Sequence, residues 1–282
     1  MEVIKPIFII GAPRSGTTLV YDTLGRHKAL CFITGNLMEA GIYRKGRFLG
    51  DNKWISFKIK NALHRKENDN RPNEATPFWD RYLGTYDYLT EKDSNAEVAE
   101  YYRGRIAAVQ GILRKHRFIN KNPQHSLRVR LLDGIFPDAK FVHIIRDGRA
   151  VAYSTLIKGI KEPNGTYFRS LKKIIGDKYA PDRSELYNYG LAWAVLIKRA
   201  REARNFGPTR YYEIRYENLV SQPYEQLRKI IVFCELDWND EFTSKIPPIG
   251  NENVKWKQEL SEQEKYDVEE STRSLRSALN YA

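Results

Sequence analysis

Eight residues near the amino terminus, the run GAPRSGTT from Gly11 to Thr18, follow the phosphate-binding spacing G-x-x-x-x-G-K-[ST] at every position but one. Thr17 stands where the lysine belongs. A turn of this kind aims backbone N–H groups at an anion and leads into a helix whose amino terminus adds positive potential. In a nucleoside triphosphatase the lysine reaches the β- and γ-phosphates and the next hydroxyl holds magnesium; here Arg14 is the only cation inside the loop. Its planar fork, with the hydroxyls of Ser15, Thr17 and Thr18 nearby, suits a tetrahedral oxyanion and requires no metal. The alternative is a tight strand-to-helix turn whose glycines serve geometry alone.

A second segment, FPDAKFVHIIRDGRAVAYS, repeats the pattern. An apolar run ends at Arg146, Asp147 and Gly148, and Ser154 follows about two turns into the next helix. Spacing leaves two readings open. Either Arg146 and Ser154 hold an anion, or Arg146 pairs with a local carboxylate such as Asp147 and Ser154 is an ordinary helix residue.

The elements that must position these residues are legible in outline. Apolar runs in PIFII, RFIN, AKFVHII and TRYYEI alternate with longer segments of helical period, which predicts an α/β fold: a central parallel sheet, with the phosphate loop after its first strand, flanked by helices. Ser94 with Glu97 and Asp182 with Glu185 supply start signals for two long helices, and Gly207 ends the second. Residues 1–282 are expected to form one domain, with an irregular insert over about 35–93 at the sheet's carboxyl edge, where ligands bind in open α/β sheets. A loop and terminal helix are expected over about 240–282.

Composition narrows the class. The 282 residues carry a formal net charge of +12, which attracts anionic partners through a long-range field. No nucleic-acid-binding motif, zinc spacing or arginine-rich tail accompanies the charge, and no run reaches the ~18 apolar residues of a membrane span. No metal is expected. The two cysteines, Cys31 and Cys234, are read as buried thiols, although one disulfide is allowed if they meet. The first apolar run is too short for a signal-peptide core, so a cytoplasmic location is the expectation.

PRSGTT after the first strand, with IIRDGRAVAYS after a later one, resembles the two nucleotide-binding segments of sulfotransferases, which use 3′-phosphoadenosine-5′-phosphosulfate (PAPS) and release 3′,5′-bisphosphoadenosine (PAP). NKNPQHSLRVRLLDGIFPDAKFVHIIRD, YEIRYENLVSQP and NENVKWKQEL are similar to runs of the tyrosylprotein sulfotransferases and related bacterial enzymes. The resemblance spans residues 6–260 and implies a role for each matching position. Arg14, Ser15, Gly16, Thr17 and Thr18 would cradle the 5′-phosphosulfate, Arg146 and Ser154 would bind the 3′-phosphate, Tyr216 would lie near the adenine, and Lys255 would close over the phosphates. The animal enzymes carry an amino-terminal membrane anchor, and this chain begins one strand before its loop, so a bacterial-type cytoplasmic enzyme is expected. Its acceptor would be a carbohydrate, lipid or small-metabolite hydroxyl.

Sulfuryl transfer needs cations and a base. Arg14 and Lys121 are the candidates for charge stabilisation, Lys121 because it follows RFIN toward the same sheet edge as the loop. Glu74 in RPNEATPFW is the preferred base, since desolvation by Phe78 and Trp79 would raise its affinity for protons. His125 in KNPQHS is the alternative. The acceptor pocket is expected around Phe78, Trp79, Tyr82 and the segment GIKEPNGTYFRSLKK, whose basic residues suit a charged glycan. The competing enzyme class is a nucleotide or metabolite kinase, with Asp147 as the acid that would hold magnesium; the missing lysine at Thr17 opposes it.

Overall fold

A four-residue apolar strand, β1 (Ile7–Ile10), is buried along its whole length and lies at the centre of the sheet. The computed structural model describes residues 2–39, 71–162 and 164–281. After β1 come α1 (Thr17–Leu24), β2 (Leu30–Cys31), α2 (Thr76–Leu83), α3 (Ala96–Leu113), β3 (Arg117–Lys121), α4 (Val129–Ile135), β4 (Lys140–Ile145), α5 (Gly148–Lys161), α6 (Glu185–Ala200), β5 (Tyr211–Arg215), α7 (Pro223–Phe233) and α8 (Glu262–Ala278), with shorter helices between them. The strands pair in parallel in the order β2-β3-β1-β4-β5. The chain leaves β1 toward one edge and resumes on its other side at β4. Loops after β1 and β4 therefore open beside each other at a switch point of the topology, the position at which α/β sheets hold ligands.

Alternation along β1 explains its burial on both sides. Phe8 and Ile10 pack into one core with Phe118, Phe141 and residues of α2, α3 and α4. Ile7 and Ile9 face the other, with Val20, Leu24, Leu227 and Ile230 of α1 and α7. Successive side chains of a strand point to opposite faces, and a parallel sheet covered on both is apolar throughout. Each fully buried aliphatic or phenyl side chain contributes about 1.5–3 kcal/mol, which anchors the strand whose end carries the phosphate loop.

The start signals are displaced. Asn95, not Ser94, caps α3 by accepting from Val98 N at 2.9 Å, and Ser184, not Asp182, caps α6 by accepting from Tyr187 N at 3.2 Å. In both places the extended residue adjoining the helix presents the cap, as an N-cap geometry requires. After α6 the chain tightens into a 3-10 turn, Arg201–Phe206, which Gly207 ends at φ 88. The strand β2 and its pairing with β3 were not anticipated; two residues are too short for a periodic signal. Of the insert expected over 35–93, residues 40–70 lie outside the described residues. Phe78 and Trp79 are core residues, edge to face at 4.9 Å, and Tyr82 turns to Glu97. Cys31 and Cys234 are both buried and free. No helix among the described residues is long and apolar enough to cross a membrane.

Candidate active site

The loop after β1 is shaped by close approach. A Cβ on Gly11 would sit 2.5 Å from the carbonyl oxygen of Ile144 on the neighbouring strand. Arg14 and Gly16 both take positive φ, 68 and 92, which turns the backbone inward before Thr17 opens α1. Arg14 holds a conformation that costs a non-glycine residue of order 1–3 kcal/mol, strain of a kind that collects at functional sites. No side chain caps α1, so its first amides stay available to an external anion. Ser15 Oγ is buried without a hydrogen-bond partner among the described residues, and such a group calls for a ligand or water.

The two anion segments meet. Arg14 Nε donates to Ser154 Oγ at 3.0 Å, and Arg146 Nη1 donates to the carbonyl of Arg14 at 2.9 Å. Arg146 also reaches the carboxyl-terminal segment, donating to Asn253 Oδ1 at 2.8 Å and Glu252 O at 2.6 Å. Its guanidinium lies 4.5 Å from the Tyr216 ring centroid, a cation–π contact, and burial pulls its proton affinity below that of a free arginine. The same ring approaches Gly16, where an added Cβ would lie 2.6 Å from Tyr216 Cδ2. Arg14, Gly16, Thr17, Thr18, Arg146, Ser154, Tyr216 and Lys255 all line one cavity of about 690 Å³. Lys255 is tied to Glu252 at 2.5 Å; that hydrogen bond raises the lysine and lowers the carboxylate.

The second segment does not copy the first. Asp147 caps α5, accepting from Arg149 N at 2.9 Å, and pairs with the Arg149 guanidinium at 2.7 Å. A carboxylate therefore occupies that helix start, and the segment presents the side chains of Arg146 and Ser154 to the cavity. The alternative pairing of Arg146 with Asp147 is not formed, and the acid a kinase would offer to magnesium is already engaged. Lys158 and Lys161 line the same cavity; one and two turns after Ser154, they share its helix face.

A second cavity, of about 450 Å³, adjoins the first and shares Arg14 and Lys158 with it. Glu74 stands in its wall, nearly half exposed and ion-paired with the buried ammonium of Lys121. Its surroundings are thus ionic rather than the apolar shell expected of Phe78 and Trp79, which face the core. Asn122 fixes the same turn, donating to the Glu74 carbonyl at 3.1 Å, and the next residue, Ala75, is held at φ 54. Lys121 is sealed behind Glu74 and does not line either cavity, so it meets a ligand through Glu74. His125 is fully buried, edge-on to Trp79 and Phe8, with Nε2 on Asn120 Oδ1 at 2.9 Å. Burial holds its imidazole well below the usual range, with Arg128 and Lys121 acting in the same direction. A ring with no exposed surface cannot take a proton from a ligand in either cavity, so the alternative base is corrected to a core residue.

A family model described as "Sulfotransferase family" matches residues 6–240. The chain belongs to the sulfotransferase family. It is 30% identical over 253 residues to omega-hydroxy-beta-dihydromenaquinone-9 sulfotransferase Stf3 of Mycobacterium tuberculosis, an overlap of 80% of this chain and 61% of that protein. It is 25% identical over 240 residues to a protein-tyrosine sulfotransferase of Drosophila melanogaster, 83% of this chain and 38% of that one. The chain thus spans less than two thirds of either relative's length. The solved structure of sulfotransferase STF1 from M. tuberculosis matches with a TM-score of 0.62 at 16% identity, covering 96% of this chain and 76% of that chain, which shows the shared fold.

Within this sulfotransferase fold, the residues that sequence reasoning singled out for the donor include Arg14, Gly16, Thr17, Thr18, Arg146, Ser154, Tyr216 and Lys255, which line one cavity, and it missed others that line or brace that cavity. Lys158 and Lys161 were signalled by their spacing from Ser154. Asn122, Asn253 and Glu217 carried no signal. Glu217 accepts from Asn253 Nδ2 at 2.7 Å and from Tyr281 at 2.8 Å, a contact between distant segments that no local pattern announces.

Proposed function

We propose that the chain transfers a sulfuryl group from PAPS to an acceptor hydroxyl by in-line displacement, with Glu74 as the general base. The observation that carries this reading is the convergence of Arg146 and Ser154 with the β1 loop on one cavity, two anion-binding sets where a kinase needs one. The chemistry of the cavity fits a bisphosphorylated nucleotide: an uncapped helix start and two arginines.

In this reading the α1 amides, Ser15, Gly16, Thr17 and Thr18 hold the 5′-phosphate, Arg146 and Ser154 hold the 3′-phosphate, and Tyr216 flanks the base. Lys255 lies over the phosphates on the carboxyl-terminal segment. Bound PAPS supplies a sulfuryl group whose S–O bond to the 5′-phosphate breaks as the acceptor oxygen bonds to sulfur, the phosphate oxygen keeping the electron pair. Arg14, shared by the two cavities, stabilises negative charge at their junction. Glu74 accepts the acceptor's proton, and Lys121 positions that carboxylate instead of touching the transferred group. The acceptor bears a hydroxyl on a carbohydrate, lipid or small metabolite, and the buried free thiols suit a reducing cytoplasm.

The test is label transfer from sulfur-labelled PAPS to a panel of glycans, lipids and small alcohols. Transfer by the wild-type chain, abolished in Glu74→Gln with PAP affinity retained, supports the assignment. Phosphoryl transfer from ATP with magnesium would overturn it.

A further inference from the structure

The cavity beside Glu74 is walled largely by apolar and aromatic side chains. Pro13, Pro77 and Pro123 form rigid apolar faces, and Tyr86, Tyr167 and Phe168 supply aromatic ones. The rings support each other: Tyr86 and Tyr167 meet edge to face at 5.8 Å, Tyr167 and Phe168 at 5.5 Å, and Phe168 rests on Tyr189 at 5.9 Å. The aromatic wall is therefore fixed before a ligand arrives, which lowers the entropic cost of binding.

Three polar side chains on the same walls, those of Asn122, Gln124 and Thr155, are turned back into the protein. Asn122 donates to Glu74 O and Thr76 Oγ1 and accepts from Gln124 N. Gln124 accepts from Tyr86 N and Arg128 Nη2 and donates to Asp80. Thr155 donates to the Val151 carbonyl. A glycan leaves many hydroxyls needing partners, and these side chains already have theirs. The charges are matched in the same way: Glu74 pairs with Lys121, Lys158 pairs with Glu162, and Arg14 is directed to Ser154 on the donor side. With two cations, Arg14 and Lys158, and two carboxylates, Glu74 and Glu162, on its wall, the cavity has no surplus charge to attract an ionic acceptor.

Resting on the sulfotransferase reading above, we infer that the acceptor is a neutral molecule whose hydroxyl is borne by a flat, apolar body, as in a phenol or fused-ring alcohol, and not a sugar or an anionic peptide. The expected charged glycan is set aside, because among the described residues the segment GIKEPNGTYFRSLKK lines this cavity with Glu162, Gly165, Thr166, Tyr167 and Phe168 and with none of its basic residues. The volume of about 450 Å³ accommodates a small ligand of this kind.

Equilibrium binding of 2-naphthol, chitobiose and an acidic tyrosine peptide to the full chain saturated with PAP tests the inference. Naphthol is expected to bind, and the other two to bind far more weakly. Tyr167→Ala should weaken naphthol by about tenfold, the scale of one aromatic contact, and Thr166→Trp, which fills the cavity from its rim, should abolish binding while PAP affinity stays unchanged. Tighter binding of the sugar or the peptide, or naphthol binding indifferent to Thr166→Trp, overturns the inference. If PAP itself fails to bind, the donor reading is what fails, and naphthol binding to the free chain still decides the character of the cavity.

Discussion

Arg146→Ala separates the two anion-binding functions of the donor cavity. A guanidinium has five N–H donors, and three of those on Arg146 are engaged by Asn253 Oδ1, Arg14 O and Glu252 O. The remaining pair, one on each terminal nitrogen, is left for a 3′-phosphate. Charge-assisted hydrogen bonds contribute about 1.5–3 kcal/mol each, and water replaces part of that in the variant, so a loss of about 3 kcal/mol is expected, or ~10²-fold in PAP affinity. Adenosine 5′-phosphate lacks the second phosphate and loses only what the loop loses when Arg14 O is released, about 1 kcal/mol or under tenfold. Calorimetric titration of both nucleotides into wild type and variant, with a denaturation curve to confirm folding, measures the two losses. Equal losses would refute a 3′-phosphate role and leave Arg146 as a clamp between the loop and the carboxyl-terminal segment.

Glu74→Gln should lower turnover by about 10²–10⁴-fold, the usual range for a general base, with PAP affinity unchanged, whereas His125→Asn should retain turnover and instead lower the melting temperature. Gly16→Ala should weaken nucleotide binding, since φ 92 is strained for alanine and its Cβ would meet Tyr216; adding Tyr216→Ala relieves the contact but not the backbone strain, so calorimetry should show partial rescue. Stability should fall with pH. Burial lowers the proton affinity of His125, and of His143 despite the opposing pull of Glu213, so both rings take up a proton at lower pH in the folded chain than in the unfolded chain, where they do so near pH ~6.5. Below that pH the unfolded state binds more protons, and stability present above it is lost at up to about 1.4 kcal/mol per pH unit for each ring until the folded ring also titrates. Denaturant midpoints taken between neutral and mildly acidic pH check this, and His125→Asn should make the slope shallower.

The parallel sheet and the two strand–turn–helix segments that meet at the first cavity were legible because their signals are local. An apolar run that ends in glycine, arginine and hydroxyl residues fixes strand, turn and helix start within a few positions, and the order of the segments places them on one edge. The pairing of Glu74 with Lys121 was legible only as residue types. Glu74 and Lys121 lie far apart in the sequence, and nothing between them states that the lysine is buried behind the carboxylate. Phe78 and Trp79 misled for a related reason: aromatic neighbours in sequence point to a shared environment, but α2 turns both rings into the core and leaves Glu74 before the helix, at the cavity. His125 misled because a histidine at a sheet edge suits a base equally well whether it faces the ligand or Trp79. The segment GIKEPNGTYFRSLKK supplies Tyr167 and Phe168 to the cavity beside Glu74, but which of its side chains turn to that cavity is a tertiary fact.

The central claim is that the lysine-less loop serves a bisphosphorylated nucleotide rather than a triphosphate. Isothermal titration of the full chain with PAP, and separately with ATP and magnesium, tests it most directly. The expected result is one-site binding of PAP without added metal, well ahead of ATP with magnesium; preferential, magnesium-dependent binding of ATP would contradict it.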